Sequence, residues 1–193
     1  HWGTENVYYP SPDQVVLAHK IIDAGAALIL GHHPHVLQPI EQYKNGVIAY
    51  SLGNFQFCFL EDVKTRRSAI LSVIFSEKGI DSVEIFPTRI EGDYSVSLMT
   101  EMEKKDFFGE IGLIAEKFEA NKYNEHFWFE QIAPAHLSGN LRSWGKRIRK
   151  YGFLHFLQCL KWSFSPFVIN CYMGMIRRAL QTAFERKEGR HDL

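Results

Sequence analysis

The stretch Gly31-His32-His33-Pro34-His35-Val36 decides how the first half of the chain is interpreted. It follows the apolar run Ala26–Leu30, which is typical of a short buried strand. The proline fixes a backbone dihedral angle and stops this stretch from continuing as a helix. Imidazole is a common protein ligand for transition metals, so a His-Pro-His pair on a loop after a strand resembles a metal-binding loop. A bare pair of this kind favours a surface histidine cluster, and its position at the end of a strand weakens that alternative.

The residues before this loop predict the start of an α/β unit. Ser11 and Pro12 are typical of a helix N-terminus, and Gly25 is typical of a helix end, so a helix is expected between them. The apolar residues expected on its buried face are Val15, Ala18 and Ile22. Because catalytic groups of α/β units lie at the carboxyl ends of strands, this order places the histidine loop where a site is expected.

The residues after the loop predict antiparallel strands. Asn45-Gly46 is a strong hairpin signal and precedes a second buried strand, Val47–Leu52. Ala69–Phe75 and Ser82–Phe86 alternate like strands and are joined by a further turn, which predicts another hairpin.

From Leu98 the pattern becomes helical. The stripe expected to face the core consists of Phe108, Ile111, Ala115 and Phe118. Leu141–Trp162 is basic and amphipathic, and Trp162–Ile176 is apolar but shorter than the ~20 residues that a spanning helix needs. A helix pair that lies at a membrane interface or docks on a partner, and helices that pack on the body, both stay open. The predicted domains are 1–97 and 98–193.

Composition describes a globular chain with an uneven charge distribution. Hydrophobic residues make up 46% and charged residues 23%, which excludes a disordered chain. Residues 141–193 hold 11 Lys/Arg and 3 Asp/Glu, a net charge of +8, and residues 1–140 carry −8. The basic tail suggests contact with phosphates, an anionic membrane surface or the body itself, with a solvated face as the alternative. The cysteines, Cys58, Cys159 and Cys171, form neither a disulfide framework nor a metal pattern, which favours a reducing compartment.

Four segments in order carry a resemblance to a known family. They are His1-Trp2-Gly3-Thr4-Glu5, the helix Asp13–Gly25, the histidine loop, and Tyr50-Ser51-Leu52-Gly53-Asn54-Phe55. Together they resemble the CapA family of capsule and poly-γ-glutamate synthesis proteins, within the calcineurin-like metallophosphoesterase superfamily. The resemblance covers roughly residues 1 to 90 and does not extend into the helical tail.

The resemblance implies an α/β (α+β) fold, the C-terminal part of a metallophosphatase-like β-sandwich flanked by helices, followed by a helical C-terminal tail. The metal ligands that it carries over are His1, His33 and His35. His32 occupies a variable position and is not expected to be a ligand. Glu5 and Asn54 match family positions and are expected near the site as catalytic residues or substrate contacts, although Asn54 could also be a turn residue.

The cofactor implied is a divalent transition metal, Mn, Fe or Zn. A two-metal site is expected only with the N-terminal half of the superfamily fold, because that half supplies the aspartate ligands. The chain is therefore expected to be the C-terminal portion of a CapA-like protein and not a competent catalyst by itself. A set of three histidines could hold one metal.

Two function hypotheses follow. The first is a metal-dependent hydrolase or transferase of cell-envelope polymer synthesis. The second is a non-catalytic accessory protein that binds an anionic polymer or a synthase partner at the membrane surface. The expected partners are poly-γ-glutamate or capsule polysaccharide, a synthase complex and a peripheral membrane contact through 141–178, with no nucleic acid. The expected location is the cell envelope or a membrane surface. An unrelated α/β domain with an accidental His-Pro-His is the third interpretation.

Overall fold

The computed structural model describes residues 1–57 and 62–188. These residues form helices and two small sheets, so the predicted α/β class is confirmed. The chain divides into two compact units, His1–Tyr123 and the part from Asn124 onward. The predicted domain boundary at 97/98 falls inside the first unit and stays a prediction. Cys58 lies outside the described residues.

The first helix, α1 (Pro12–Asp23), begins and ends where the sequence predicts. The Ser11 hydroxyl accepts a hydrogen bond from the Gln14 amide at 3.3 Å, and Pro12 occupies the first helical turn. Gly25 follows the helix with a φ of 106°, a conformation that glycine adopts without a steric cost. The three residues predicted to face the core are all buried.

The first sheet contains β1 (Leu28–Leu30), β2 (Ile40–Tyr43) and β3 (Gly46–Ala49) in the order β1-β3-β2. β3 is parallel to β1 and antiparallel to β2. The predicted hairpin joins β2 to β3, but its turn residues are Lys44 and Asn45, and Gly46 is already the first residue of β3. β1 lies at the sheet edge, where Leu30 is 51% exposed. The buried core beneath this sheet consists of Val15, Ala18, Ile22, Ile48, Tyr50 and Phe118.

The second sheet contains β4 (Arg67–Ser76), β5 (Gly79–Ile90) and β6 (Val96–Leu98), all antiparallel. The predicted β4–β5 hairpin is confirmed, with both strands longer than expected. β6 is only a three-residue strand, too short to give a sequence pattern. A short 3₁₀ helix, Val63–Arg66, precedes β4. Isolated antiparallel bridges pair Leu37 with Leu52, and Gly53 with Ser68 of β4. The metallophosphatase-like form of the fold stays a prediction.

Helix α2 (Glu101–Asn121) closes the first unit, and its predicted buried stripe is confirmed at Phe118 and wrong at Phe108. Thr100 and Glu103 cap its N-terminus reciprocally. The buried residues of α2 are Phe107, Ile114 and Phe118, whereas Phe108 is 45% exposed and Ile111 and Ala115 are partly buried. Phe107 and Phe108 both fit a helical period, and packing selects Phe107 because it joins a buried cluster with other parts of the unit. That cluster consists of Leu37, Ala69, Met99 and Phe107.

The second unit is helical. Its elements are α3 (Glu125–Phe127), a π-helical turn at Trp128–Ile132, α4 (Ala133–Tyr151), α5 (Phe153–Ser163) and α6 (Pro166–Glu188). Gly152, with a φ of 76°, separates α4 from α5, so the predicted basic amphipathic stretch is divided between two helices. The core of the second unit consists of Trp128, Ala133, Leu137, Val168 and Cys171. Among the described helices, none is long and apolar enough to cross a bilayer.

A buried carboxylate, Glu41 on β2, ties the first unit together. Its Oε2 accepts a hydrogen bond from the Tyr50 hydroxyl at 2.7 Å and lies 2.9 Å from His19 Nε2. Its Oε1 accepts a hydrogen bond from Lys122 Nζ at 2.7 Å, just beyond the end of α2. The other ring nitrogen of His19 lies 3.0 Å from the Tyr123 hydroxyl. One side chain thus connects α1, the first sheet and the end of α2.

The charge on Glu41 is maintained by these partners. Burial by itself raises the pKa of a carboxyl group, but the hydrogen bonds from Lys122, Tyr50 and His19 outweigh it and hold the pKa of Glu41 below its ordinary value. Burial, followed by the adjacent Glu41, raises the pKa of Tyr50, so its hydroxyl keeps its proton and donates.

Removal of this carboxylate should destabilise the first unit. Glu41→Ala leaves the Lys122 ammonium and the Tyr50 hydroxyl without their buried acceptor, and it should lower the free energy of unfolding by about 3 kcal/mol. Glu119→Ala is the matched control, because Glu119 also pairs with Lys122 but its side chain is 63% exposed. The control should cost less than about 1 kcal/mol. Equal shifts of the two urea denaturation midpoints would contradict this role.

The same carboxylate should make stability depend on pH in acid. Because the folded pKa of Glu41 lies below its unfolded value of 4.5, its contribution is complete above that value and is lost as the pH falls through the folded pKa. The stability difference between the native chain and Glu41→Ala should therefore shrink between about pH 5 and about pH 2. Urea denaturation of both proteins across this range measures it, and a constant difference would count against the charge.

Candidate metal centre

The N-terminal segment lies along the histidine loop and is hydrogen-bonded to it. The Trp2 amide donates to the His32 carbonyl at 3.1 Å, and the Asn6 amide donates to the Pro34 carbonyl at 2.7 Å. The Trp2 indole Nε1 donates to the Tyr50 carbonyl at 2.9 Å. These three bonds hold Glu5 beside the histidines.

Gly31 makes this arrangement possible because the chains approach too closely for a side chain. A Cβ at this position would lie 2.1 Å from the Tyr50 carbonyl oxygen and 2.5 Å from the Trp2 indole nitrogen. Both distances are below any real contact. The glycine that opens the histidine loop is therefore required for the N-terminal segment to cross the end of the sheet.

Three residues at the site adopt backbone conformations that are rare without glycine. The φ angles are 59° at Asn6, 101° at His33 and 61° at His35. Residues other than glycine with a positive φ are uncommon, and strained backbone conformations are concentrated at functional sites. The loop is therefore held in a conformation that its own residues do not prefer.

Glu5, His33 and His35 come together as a set of possible metal ligands. One ligand atom from each lies within 4.8 Å of the others, and within the described residues this is the one such group. The two histidines are half-buried and Glu5 is exposed, so the set lies at the surface with an open side.

Asn54 orients the ring of His35. The Asn54 amide nitrogen donates to the Thr65 carbonyl at 3.0 Å, which leaves its oxygen facing His35 Nδ1 at 2.9 Å. Because that oxygen only accepts, Nδ1 carries the proton in the neutral ring, and Nε2 is then the nitrogen with the lone pair. Metal-binding histidines are commonly oriented in this way.

The remaining predicted residues lie around this set. The His1 ring lies against the His33 ring with centroids 4.2 Å apart, and His1 is exposed. His32 is exposed, with Nδ1 3.4 Å from the Gly53 carbonyl oxygen. His1 is not among the three residues whose ligand atoms meet, and its assignment as a ligand stays a prediction. Sequence reasoning missed Thr65, since no motif marks a residue that acts only through its backbone carbonyl.

The chemistry of the donor set fits the predicted cofactor. Two imidazole nitrogens and one carboxylate oxygen are donors that Zn and Fe bind, and the carboxylate also suits Mn. Mg and Ca prefer oxygen ligands throughout, so they fit this set less well. The residues present therefore fit one divalent transition metal.

Comparison with known proteins agrees with the resemblance found in the sequence. Residues 1–58 match the family described as bacterial capsule synthesis protein PGA_cap. The chain is 37% identical over 114 residues to the capsule biosynthesis protein CapA of Bacillus anthracis. This alignment covers 58% of this chain and 27% of that protein.

Two further relatives are similar over shorter stretches. The chain is 45% identical over 93 residues to the PGA biosynthesis protein CapA of Bacillus subtilis, 47% of this chain and 23% of that protein. It is 41% identical over 54 residues to a probable polyglutamine synthesis accessory protein of Mycobacterium tuberculosis, 28% of this chain and 14% of that protein. The chain spans about a quarter of the length of the two CapA relatives. The residues that match this family, 1–58, include Glu5, His33, His35 and Asn54, so the candidate site lies within the part of the chain that is similar to bacterial capsule synthesis proteins.

Proposed function

We propose that the chain is a metal-binding component of capsule or poly-γ-glutamate synthesis at the cell envelope, and that its site belongs to a metal-dependent hydrolase or transferase. The observation that carries the proposal is the convergence of Glu5, His33 and His35. The names of the relatives, which refer to capsule, PGA and polyglutamine synthesis, support the pathway.

The roles of the site residues follow from their contacts. His33, His35 through Nε2, and Glu5 would hold one Mn, Fe or Zn ion. A bound ion of this kind polarises a substrate oxygen or lowers the pKa of a bound water. Asn54 is a positioning residue, because it keeps the proton of His35 on Nδ1.

The location of the site at the protein surface suits a polymer substrate. Glu5, His1 and His32 are all exposed at its rim. The half-exposed Phe57 ring lies 5.6 Å from the His35 ring and adds an apolar wall. A long chain could lie across such a surface, whereas small-molecule sites are usually enclosed clefts.

An accessory role without catalysis is the second candidate. It is supported by the name of the Mycobacterium relative, a probable accessory protein, and by the net charge of +8 on residues 141–193, from 11 Lys/Arg and 3 Asp/Glu. Because the chain by itself is not expected to be a competent catalyst, the experiment that discriminates between the two incubates poly-γ-glutamate with the metal-loaded chain supplied together with the N-terminal half of the superfamily fold. Polymer shortening that is lost in His35→Ala supports the enzyme, whereas binding without shortening, unchanged in His35→Ala, supports the accessory role.

Loss of either loop histidine should weaken metal binding. The native chain should bind about one Co²⁺ or Zn²⁺ ion, and His33→Ala and His35→Ala should each lower the affinity by more than about tenfold. Cobalt absorption titrations and elemental analysis measure the affinity and the stoichiometry. His126→Ala is the control, because His126 is an exposed histidine in the second unit and should leave binding unchanged. Equal affinity in all four proteins would refute the ligand assignment.

Asn54→Ala should weaken metal binding without removing a ligand. Without the acceptor for Nδ1–H, the His35 ring loses its fixed orientation, and the affinity should fall by about tenfold to 100-fold. The double variant His33→Ala/Asn54→Ala tests the mechanism. Because Asn54 acts through His35, its loss should lower the metal affinity further even when His33 is absent. A purely structural role would instead lower the thermal midpoint of the metal-free chain and leave the affinity of the folded protein intact.

A further inference from the structure

Helix α5 exposes its apolar side chains instead of burying them. Its buried side is formed by Cys159 and part of Trp162. On the opposite side, Phe153 and the adjoining Phe164 are each 71% exposed. The residues that recur at helical spacing along this side are Phe153, Leu157, Leu160 and Phe164, all exposed. We name them the α5 stripe.

Helix α6 carries a second stripe with the same spacing. Val168 and Cys171 are fully buried in the core of the unit, and the exposed apolar residues lie on another side of the helix. These residues, the α6 stripe, are Ile169, Met173, Ile176 and Leu180. Surface helices of globular proteins normally present polar residues here, so two such stripes indicate a surface that is covered in use.

The charge around the stripes is of one sign. Residues 131–184 contain no Asp or Glu. Lys161 follows Leu157 by one helical turn and is exposed beside the α5 stripe. The exposed cations described in this part of the chain are Arg147, Arg149, Lys150, Lys161, Arg177 and Arg178.

This combination selects among the surfaces that could cover the stripes. A second copy that paired through the same stripes would bring cations against cations, which opposes association. A hydrophilic anionic polymer would satisfy the cations but leave the apolar stripes in water. An anionic bilayer satisfies both, because apolar side chains enter the acyl boundary while Lys and Arg contact the headgroups.

We propose that α5 and α6 dock on the surface of an anionic lipid bilayer, with the α5 and α6 stripes in the interface and the flanking cations on the headgroups. The helices lie on the membrane without crossing it. The site of Glu5, His33 and His35 takes no part in this binding, so failure of one proposal leaves the other intact.

Vesicle co-sedimentation of the full 193-residue chain tests the proposal. The chain should bind vesicles of phosphatidylcholine with about a third phosphatidylglycerol, and it should bind pure phosphatidylcholine vesicles more weakly. Salt should weaken the binding but not abolish it, because exposed charges are screened over ~8 Å at physiological ionic strength whereas apolar insertion persists. Absence of binding to the anionic vesicles would overturn the proposal.

Substitutions in the α5 stripe separate insertion from charge attraction. Leu157→Gln and Phe164→Gln keep the charge and alter exposed positions, so each should reduce binding by about tenfold while circular dichroism stays unchanged. The matched control is Leu113→Gln in α2, which removes a leucine that is 69% exposed outside this surface. Equal binding by the control and both variants would overturn the insertion.

The remaining variant addresses the headgroup contacts and the competing partners. Lys150→Gln with Lys161→Gln should reduce binding to anionic vesicles by about fivefold per charge and leave binding to phosphatidylcholine unchanged.

Sedimentation velocity should show that the chain does not self-associate through the stripes. Self-association that Phe164→Gln abolishes would overturn the membrane assignment. So would displacement of the protein from vesicles by poly-γ-glutamate, if the native chain and Leu157→Gln were displaced equally.

Discussion

The site depends on one close approach, at Gly31. Only a hydrogen atom fits between residue 31 and both the Tyr50 carbonyl and the Trp2 indole, which are themselves joined by a 2.9 Å hydrogen bond. Because the N-terminal segment can lie this near the sheet, its amides reach the carbonyls of the histidine loop. Glu5 is thereby held beside the two histidines, although it is far from them along the chain. Any side chain at residue 31 would separate these parts.

A stable support lies beneath this strained loop. The left-handed conformations of His33 and His35 are unfavourable by themselves and persist only where the surroundings fix them. The first sheet provides that support, since Glu41 ties it to α1 through a buried contact with His19 and to the end of α2 through a partly buried hydrogen bond from Lys122. Asn54 then transmits the rigidity of the Thr65 backbone to the His35 ring. The second unit has no comparable buried carboxylate among its described residues; its apolar residues are divided between its core and the exposed stripes of α5 and α6.

Much of the fold could be predicted where local chemistry decides it. Ser11, Pro12 and Gly25 specify the ends of α1 because capping and backbone preferences act within a few residues. The β4–β5 hairpin follows from alternation around a turn. The α2 stripe failed at Phe107 and Phe108, because two adjacent apolar residues fit one helical period equally well. Periodicity identifies a helix but does not identify its neighbours.

The sequence by itself determined the class of the fold, the histidine loop after its strand, the likeness to the capsule synthesis family and the basic character of the tail. All of these reside in residue types and short spacings. Only the tertiary structure decided that Glu5 joins His33 and His35, that Asn54 fixes the proton of His35, and which sides of α5 and α6 remain exposed. The reason is physical: distances between segments far apart in the chain, and the choice of buried helix face, are set by packing of the whole unit.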